Sequence, residues 1–99
     1  MTEVTPEWPF TALQGQYLAF IRAYTLIHRR APAERDLQAF FRVTPPAVHD
    51  MILTLESRGF IERTPGMARS IRIQVPANEI PTLLDPAERN DGERRRTRG

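Results

Sequence analysis

Residues 41–74 constrain the fold of this chain most, because the spacing of their apolar side chains changes from helical to extended. Thr44 followed by Pro45 is typical of a helix start, since proline's missing N–H falls where no intrahelical bond is made. Gly59 supplies the left-handed residue that commonly ends a helix. After it, apolar and polar residues alternate around a Thr-Pro-Gly turn at 64–66. The pattern predicts a helix followed by two short strands.

Two further helices are predicted before this stretch. Thr11 and Gln14 have the spacing of a capping box, and apolar residues then recur at helical spacing over 12–28. A shorter copy of the pattern covers 34–41. Only two residues separate it from the third helix, so the two helices must cross sharply, as in a helix-turn-helix. The residues predicted to form the core of the helices are Tyr17, Phe20, Tyr24, Phe40, Phe41, Val48, Met51, Ile52 and Leu55.

These elements predict a mainly α fold with a small β-hairpin, a three-helix winged helix-turn-helix. We expect an N-terminal arm over 1–10, the winged domain over 11–75 and a polar tail over 76–99. The tail is expected to be mostly disordered, because it is rich in proline and charge and lacks apolar periodicity. Its few apolar residues, among them Leu83 and Leu84, are candidates for docking elsewhere.

The composition disfavours several functional classes. The absence of cysteine leaves no disulfide and no cysteine-based metal or nucleophile site. Scattered carboxylates without a phosphate loop, serine nucleophile motif or metal-binding cluster argue against an enzyme and predict no cofactor. His28 has no histidine at metal-ligand spacing and is expected to be structural. With no membrane-length apolar run and no signal peptide, we expect a cytoplasmic protein without membrane or small-molecule partners.

The basic residues indicate where a partner would bind. All 14 are arginines, whose planar, permanently charged guanidinium groups suit phosphate oxygens. Residues 1–75 carry nine arginines against seven acids, the following segment is acidic, and four more arginines lie between 94 and 98. A mildly basic small domain favours nucleic acid as the partner.

From about Phe10 to Val75 the sequence resembles the N-terminal DNA-binding domain of the LexA repressor family. The resemblance rests on LQGQYLAFIRAY in the first helix, AVHDMILTLESRGFIER in the third helix and first strand, and TPGMARSIRI in the wing. It implies a winged helix-turn-helix that binds double-stranded DNA and regulates transcription, as a repressor. The family's self-cleaving domain uses a Ser-Lys pair, and this sequence has no lysine. We therefore expect a stand-alone DNA-binding module.

The resemblance places the helix over 45–58 in the major groove and the wing over 64–70 on the DNA backbone. The positions that resemble the family's base-reading residues hold Thr44, Pro46, Ala47, His49 and Asp50. Asp50 can accept a hydrogen bond from a cytosine amino group and Ala47 can contact a thymine methyl. Pro46 stands where the family often has a polar residue, so a different operator is expected. Asp50 also suits a helix N-terminus electrostatically, and His49 also fits a solvated surface histidine.

Four arginines at helix ends and in the wing are candidates for contacts to the DNA backbone. They are Arg29, Arg30, Arg42 and Arg69. The alternative interpretation of the first three is a solvated surface.

A winged-helix module for protein–protein contacts, without sequence-specific DNA binding, remains the alternative function because the same fold serves both roles. The modest charge, the acid at Asp50 and an outward-facing Leu53 on the third helix favour this alternative. If the chain binds DNA, a homodimer on two half-sites is expected, since one such domain reads few base pairs.

Overall fold

The computed structural model describes residues 10–87, which form three helices and one pair of strands. The elements are α1 (Ala12–His28), α2 (Glu34–Phe41), α3 (Pro45–Ser57), β1 (Ile61–Glu62) and β2 (Arg72–Ile73). The strands are antiparallel, with Ile61 opposite Ile73 and Glu62 opposite Arg72. This architecture confirms the predicted winged helix-turn-helix. No helix among the described residues is long and apolar enough to cross a membrane.

Local hydrogen bonds determine where α1 begins. The Thr11 hydroxyl accepts from the Gln14 N–H at 3.1 Å, and the Gln14 side chain accepts from the Thr11 N–H at 3.0 Å. The predicted capping box is therefore confirmed. The helix ends at Arg29, which adopts a left-handed φ of 61°.

The start of α2 depends on one carboxylate. Asp36 Oδ2 accepts from the Ala33 N–H at 2.8 Å, which is the reciprocal half of a capping box. Ala33 has no side-chain acceptor, so the other half cannot form. At the far end Arg42 closes the helix with a left-handed φ of 58°.

The helix α3 begins as the sequence predicts. Thr44 is its N-cap, with its hydroxyl oxygen 3.4 Å from the Ala47 N–H, and Pro45 is its first residue. The regular helix ends at Ser57, one residue earlier than predicted, and Gly59 then adopts the expected positive φ of 81°. This turn directs the chain into β1.

The core lies where the three helices and the ribbon meet. Tyr17 and Phe41 are buried and stack with their ring centroids 4.3 Å apart. Phe20, Phe40 and Met51, also predicted as core, are only partly buried and pack against its edge. The largest fully buried apolar side chains come from all elements but β2: Leu18, Ile21, Leu37, Val48, Ile52, Leu55 and Ile61.

Residues 76–87 differ from the predicted disordered tail. A short 3-10 turn (Ala77–Glu79) is followed by residues 80–86, here named the strap, which lie against the first turns of α1. The buried side chain of Gln16 donates to the Thr82 carbonyl at 2.9 Å and accepts from the Leu84 N–H at 2.7 Å. One amide therefore satisfies a donor and an acceptor of the strap, an interaction 66 residues distant in sequence. The predicted arm before Phe10 and the tail beyond Ala87 lie outside the described residues.

Candidate nucleic-acid interface

The N-terminal half of α3 presents the five predicted base-contacting residues to solvent. Val48, Ile52 and Leu55 are completely buried on the opposite face, which fixes the rotation of the helix about its axis. The five exposed residues lie on the remaining surface of the first turns: Thr44, Pro46, Ala47, His49 and Asp50. The start of α3 therefore presents polar and small side chains to solvent on the face opposite the core.

His49 takes part in an ionic network that the sequence does not predict. Its Nδ1 lies 3.4 Å from Glu34 Oε2 at the start of α2. The same carboxylate oxygen is 3.9 Å from Arg63, which also pairs with Glu56 of α3 at 3.0 Å. The network joins α2, α3 and the end of β1 along one side of the exposed surface. His49 therefore lies at the edge of the candidate interface, with an acceptor already beside it.

Three of the predicted backbone-contacting arginines are exposed at helix ends. Arg29 and Arg42 are the C-caps of α1 and α2, and Arg30 follows the first of them. None of these guanidinium groups has an ion-pair partner among residues 10–87. Arg42 lies two residues before Thr44, the N-cap of α3, and lines a cavity with Phe40 and Leu84. These side chains are available to bind phosphate.

The fourth predicted contact, Arg69, is already engaged within the protein. Its Nη1 donates to the Tyr24 hydroxyl at 3.1 Å, to the Ala31 carbonyl at 3.3 Å and to Asp36 Oδ2 at 3.1 Å. Only 22% of its side chain is exposed. The hydrogen bond with Tyr24, opposed by desolvation and helped by the Asp36 carboxylate, raises the pKa of Arg69 further above its usual value. The guanidinium is thus held toward α1 and α2.

The surroundings of the carboxylate that binds Arg69 lower its pKa. Burial on its own would raise the pKa of Asp36. The Ala33 N–H, the charge of Arg69 and hydrogen bonds from Tyr24 and Arg69 outweigh that effect and hold the pKa below its usual value of 3.8. Asp36 is therefore ionised at neutral pH and is bound to both the α2 N-terminus and the wing.

The wing, residues 64–70, is a loop with two turns. Thr64 and Met67 close the first turn through a backbone hydrogen bond of 3.1 Å, with Gly66 at a φ of 76°. The Ser70 hydroxyl accepts from the Thr64 N–H at 3.0 Å and lies 3.2 Å from the Thr64 carbonyl, closing the base of the loop. Arg69 has a left-handed φ of 55° in the second turn.

Sequence reasoning missed the residues that join elements to one another. Glu34 and Arg63 carry no local signal, because their partners lie 7 or more residues away, and the local capping role of Asp36 at Ala33 does not indicate its pairing with Arg69, 33 residues distant. Among the described residues no group of three or more histidine, aspartate or glutamate side chains is arranged to hold a metal ion. The surface is built for hydrogen bonding and charge.

The sequence of this chain is similar to a protein family and to several repressors. Residues 7–70 match the family model for the LexA DNA binding domain. The LexA repressor of Thermosipho africanus is 36% identical over 63 residues, which are 64% of this chain and 32% of that repressor. The LexA repressor of Petrotoga mobilis is 35% identical over 71 residues, 71% of this chain and 34% of the relative. The LexA repressor of Thermotoga maritima is 33% identical over 74 residues, which are 74% of this chain and 38% of that repressor. The matched part thus spans about a third of each relative's length.

Proposed function

This chain belongs to the LexA DNA-binding domain family, and from that membership we propose that it is a sequence-specific, double-stranded-DNA-binding transcriptional repressor. The family and the similarity to LexA repressors support a DNA-binding, repressor-like regulator. A DNA-binding family also supports a role other than catalysis and a location in the cytoplasm. The finer claims rest on the exposed surface of α3.

The observation that carries the proposal is the division of α3 into two faces. One face is fully buried, so the helix cannot rotate, and the other exposes five short side chains at its N-terminal end. A helix of 13 residues is about 20 Å long, and its first turns can enter a major groove. In this pose Asp50 accepts from a cytosine amino group and Ala47 contacts a thymine methyl.

Backbone contacts are assigned to exposed arginines at the ends of α1 and α2. Arg29, Arg30 and Arg42 have no carboxylate partner within the described chain and supply permanent positive charge. Phosphate contacts of this kind fix the register of a protein on DNA but carry no sequence information. In this arrangement α3 recognises the base sequence, and the arginines supply affinity that does not depend on sequence.

One domain reads only a few base pairs, so binding as a homodimer to two half-sites is part of the proposal. An inverted repeat is the operator expected for such a dimer. Its two halves are expected to be separated by about one or more helical turns.

Selection of binding sites from a random duplex library tests this function. The protein is incubated with the library, washed at low and at physiological salt, and the retained duplexes are sequenced. An enriched motif that survives physiological salt supports sequence-specific binding, and an inverted repeat supports the dimer. Retention only at low salt with no motif contradicts the proposal.

The alternative, a protein–protein interaction module, is favoured by exposed apolar side chains. Leu53 on α3 is 42% exposed, and Leu26 and Ile27 at the end of α1 are 54% and 73% exposed. Association with another protein through such groups depends little on salt, whereas duplex affinity falls steeply as salt rises. The salt dependence of binding therefore distinguishes the two functions.

A further inference from the structure

We infer that Arg69 is a positioning residue that holds the wing against the helical body through Asp36 and Tyr24, and is not a phosphate contact. The inference rests on the proposed DNA-binding function and refines it, because it assigns the wing's orientation to a contact inside the protein. The sequence alone favours the opposite role for Arg69.

The wing's own hydrogen bonds fix its shape but not its orientation. Each strand of the ribbon has only two residues, and a two-stranded hairpin is marginally stable by itself. The Ser70 hydroxyl closes the loop onto Thr64, and both residues belong to the wing. Neither interaction reaches α1 or α2. Orientation must come from contacts outside the loop. Arg63 at the base of the loop supplies some of them, because it pairs with Glu56 of α3 at 3.0 Å and lies 3.9 Å from Glu34 of α2. Within the wing itself, contacts to the helices come from Arg69.

Arg69 supplies such contacts. The three acceptors of its Nη1 lie on separate segments: Tyr24 on α1, Ala31 in the following connection and Asp36 on α2. The last of them, Asp36, also caps α2 through the Ala33 N–H. One guanidinium nitrogen therefore connects the wing to both helices at a point where α2 itself is anchored.

The positive charge of Arg69 is neutralised by the neighbouring Asp36 carboxylate. Its Nη1 is 3.1 Å from the Asp36 carboxylate, and the two side chains are only 22% and 24% exposed. A paired, largely covered guanidinium attracts a phosphate weakly, because the carboxylate repels the same phosphate. The geometry thus favours an internal role over a contact to DNA.

Arg72 offers a matched control in the same ribbon. Its guanidinium pairs with Glu62 on the neighbouring strand at 2.9 Å and lies 3.5 Å from the Thr64 hydroxyl, and its side chain is 56% exposed. This pair joins one strand to the other and leaves the helices untouched. Arg72→Ala removes the same charge as Arg69→Ala without releasing the wing from the body.

The test measures affinity for a selected duplex and a random duplex across a series of salt concentrations. Arg69→Ala, Asp36→Asn and Tyr24→Phe are each expected to weaken binding to the selected duplex by about threefold to tenfold, the size of one net hydrogen bond. The slope of log affinity against log salt is expected to equal the wild-type slope, because no phosphate contact is lost. The double variant Asp36→Asn/Arg69→Ala is expected to bind the selected duplex no more weakly than the weaker-binding of the two single variants, because both changes remove the same interaction.

The direction of the affinity change in Asp36→Asn distinguishes a positioning role for Arg69 from a phosphate contact. It removes a negative charge, so it raises affinity if Arg69 contacts phosphate and is merely restrained by Asp36. A rise in affinity for Asp36→Asn, or a slope reduced by about 0.9 in Arg69→Ala, would overturn the inference. Tyr24→Phe changes no charge and is the variant least expected to disturb folding. Wild-type affinity in Tyr24→Phe would also count against the anchor.

Failure of the proposed function gives a different result. If the wild-type protein prefers no duplex, the proposed DNA specificity is wrong, but the anchor can still be measured without DNA. Amide hydrogen exchange in the wing is expected to be faster in Arg69→Ala than in wild type, and Arg72→Ala is expected to accelerate it less, because that variant removes only exposed contacts within the ribbon and the loop. Equal wing exchange in wild type and Arg69→Ala overturns the anchor independently of DNA.

Discussion

The recognition helix α3 and the wing are positioned by opposite kinds of interaction. The helix is capped by Thr44, and three of its side chains, Val48, Ile52 and Leu55, are fully buried in the core. The wing lies between two strands of two residues each and depends on polar side chains that contact other elements. Local sequence and apolar burial determine the first, whereas polar contacts across the fold determine the second. Substitutions in the two regions should therefore have different effects.

The largest effect is expected from the buried face of α3. Ile52→Ala should lower the free energy of unfolding by about 2–5 kcal/mol, because it removes apolar contacts and leaves a cavity in the core. Leu53→Ala, one residue along and 42% exposed, should cost less than about 1 kcal/mol. Chemical denaturation of both variants measures the difference. Similar losses would mean that Leu53 is buried against another surface in solution, which would contradict its exposure.

A smaller and more local effect is expected in the wing. Ser70→Ala removes the hydroxyl that binds the Thr64 N–H and carbonyl, which should cost about 1–3 kcal/mol of local stability. We expect amide exchange to accelerate over the wing while the amides of α3 keep their protection. If α3 loses protection equally, the wing and the helix unfold as one unit and the contrast between them is wrong.

This contrast also explains what the sequence could and could not predict. The capping box of Thr11 and Gln14, the Thr44 cap and the glycine at 59 act within a few residues, so their signals are visible in the sequence. The sequence predicts a phosphate contact for Arg69 and gives no sign of its partners within the protein, because these lie 33–45 residues away.

The strap was missed for the same reason. Its two hydrogen bonds to Gln16 span more than 60 residues, and its composition is that of a disordered segment. Gly15 gives a partial signal, because a Cβ there would lie 2.9 Å from Pro81 and would obstruct the strap. Of the site, the sequence predicted the exposed surface of α3 but not the ionic network around His49.

The wing anchor should depend on pH in a defined direction. The folded-state pKa of Asp36 is below its unfolded value, so the carboxylate stabilises the fold above the unfolded pKa, and this contribution disappears as pH falls through the folded pKa. The difference in unfolding free energy between wild type and Asp36→Asn should be constant near neutrality and shrink below about pH 4. Urea denaturation of both proteins over this range measures it. A difference that grows on acidification contradicts the lowered pKa.

The smallest effect on stability is expected at Arg42. Glycine adopts its φ of 58° without strain, so Arg42→Gly should leave the free energy of unfolding unchanged or raise it by up to about 1 kcal/mol. The same variant should weaken duplex binding and reduce the salt slope by about 0.9, the loss of one phosphate contact. Arg42→Ala removes the charge but keeps the strain, so it should bind DNA equally weakly and be less stable than Arg42→Gly. An unchanged salt slope in both removes Arg42 from the interface.

Base reading by α3 is tested most directly by repeating the duplex selection with Asp50→Ala beside the wild-type protein. Asp50 is exposed and lies on the face opposite the buried stripe, so its loss should alter the selected motif at a few positions without abolishing binding. An unchanged motif, or equal losses of affinity for selected and random duplexes, would contradict the assignment of sequence reading to this surface.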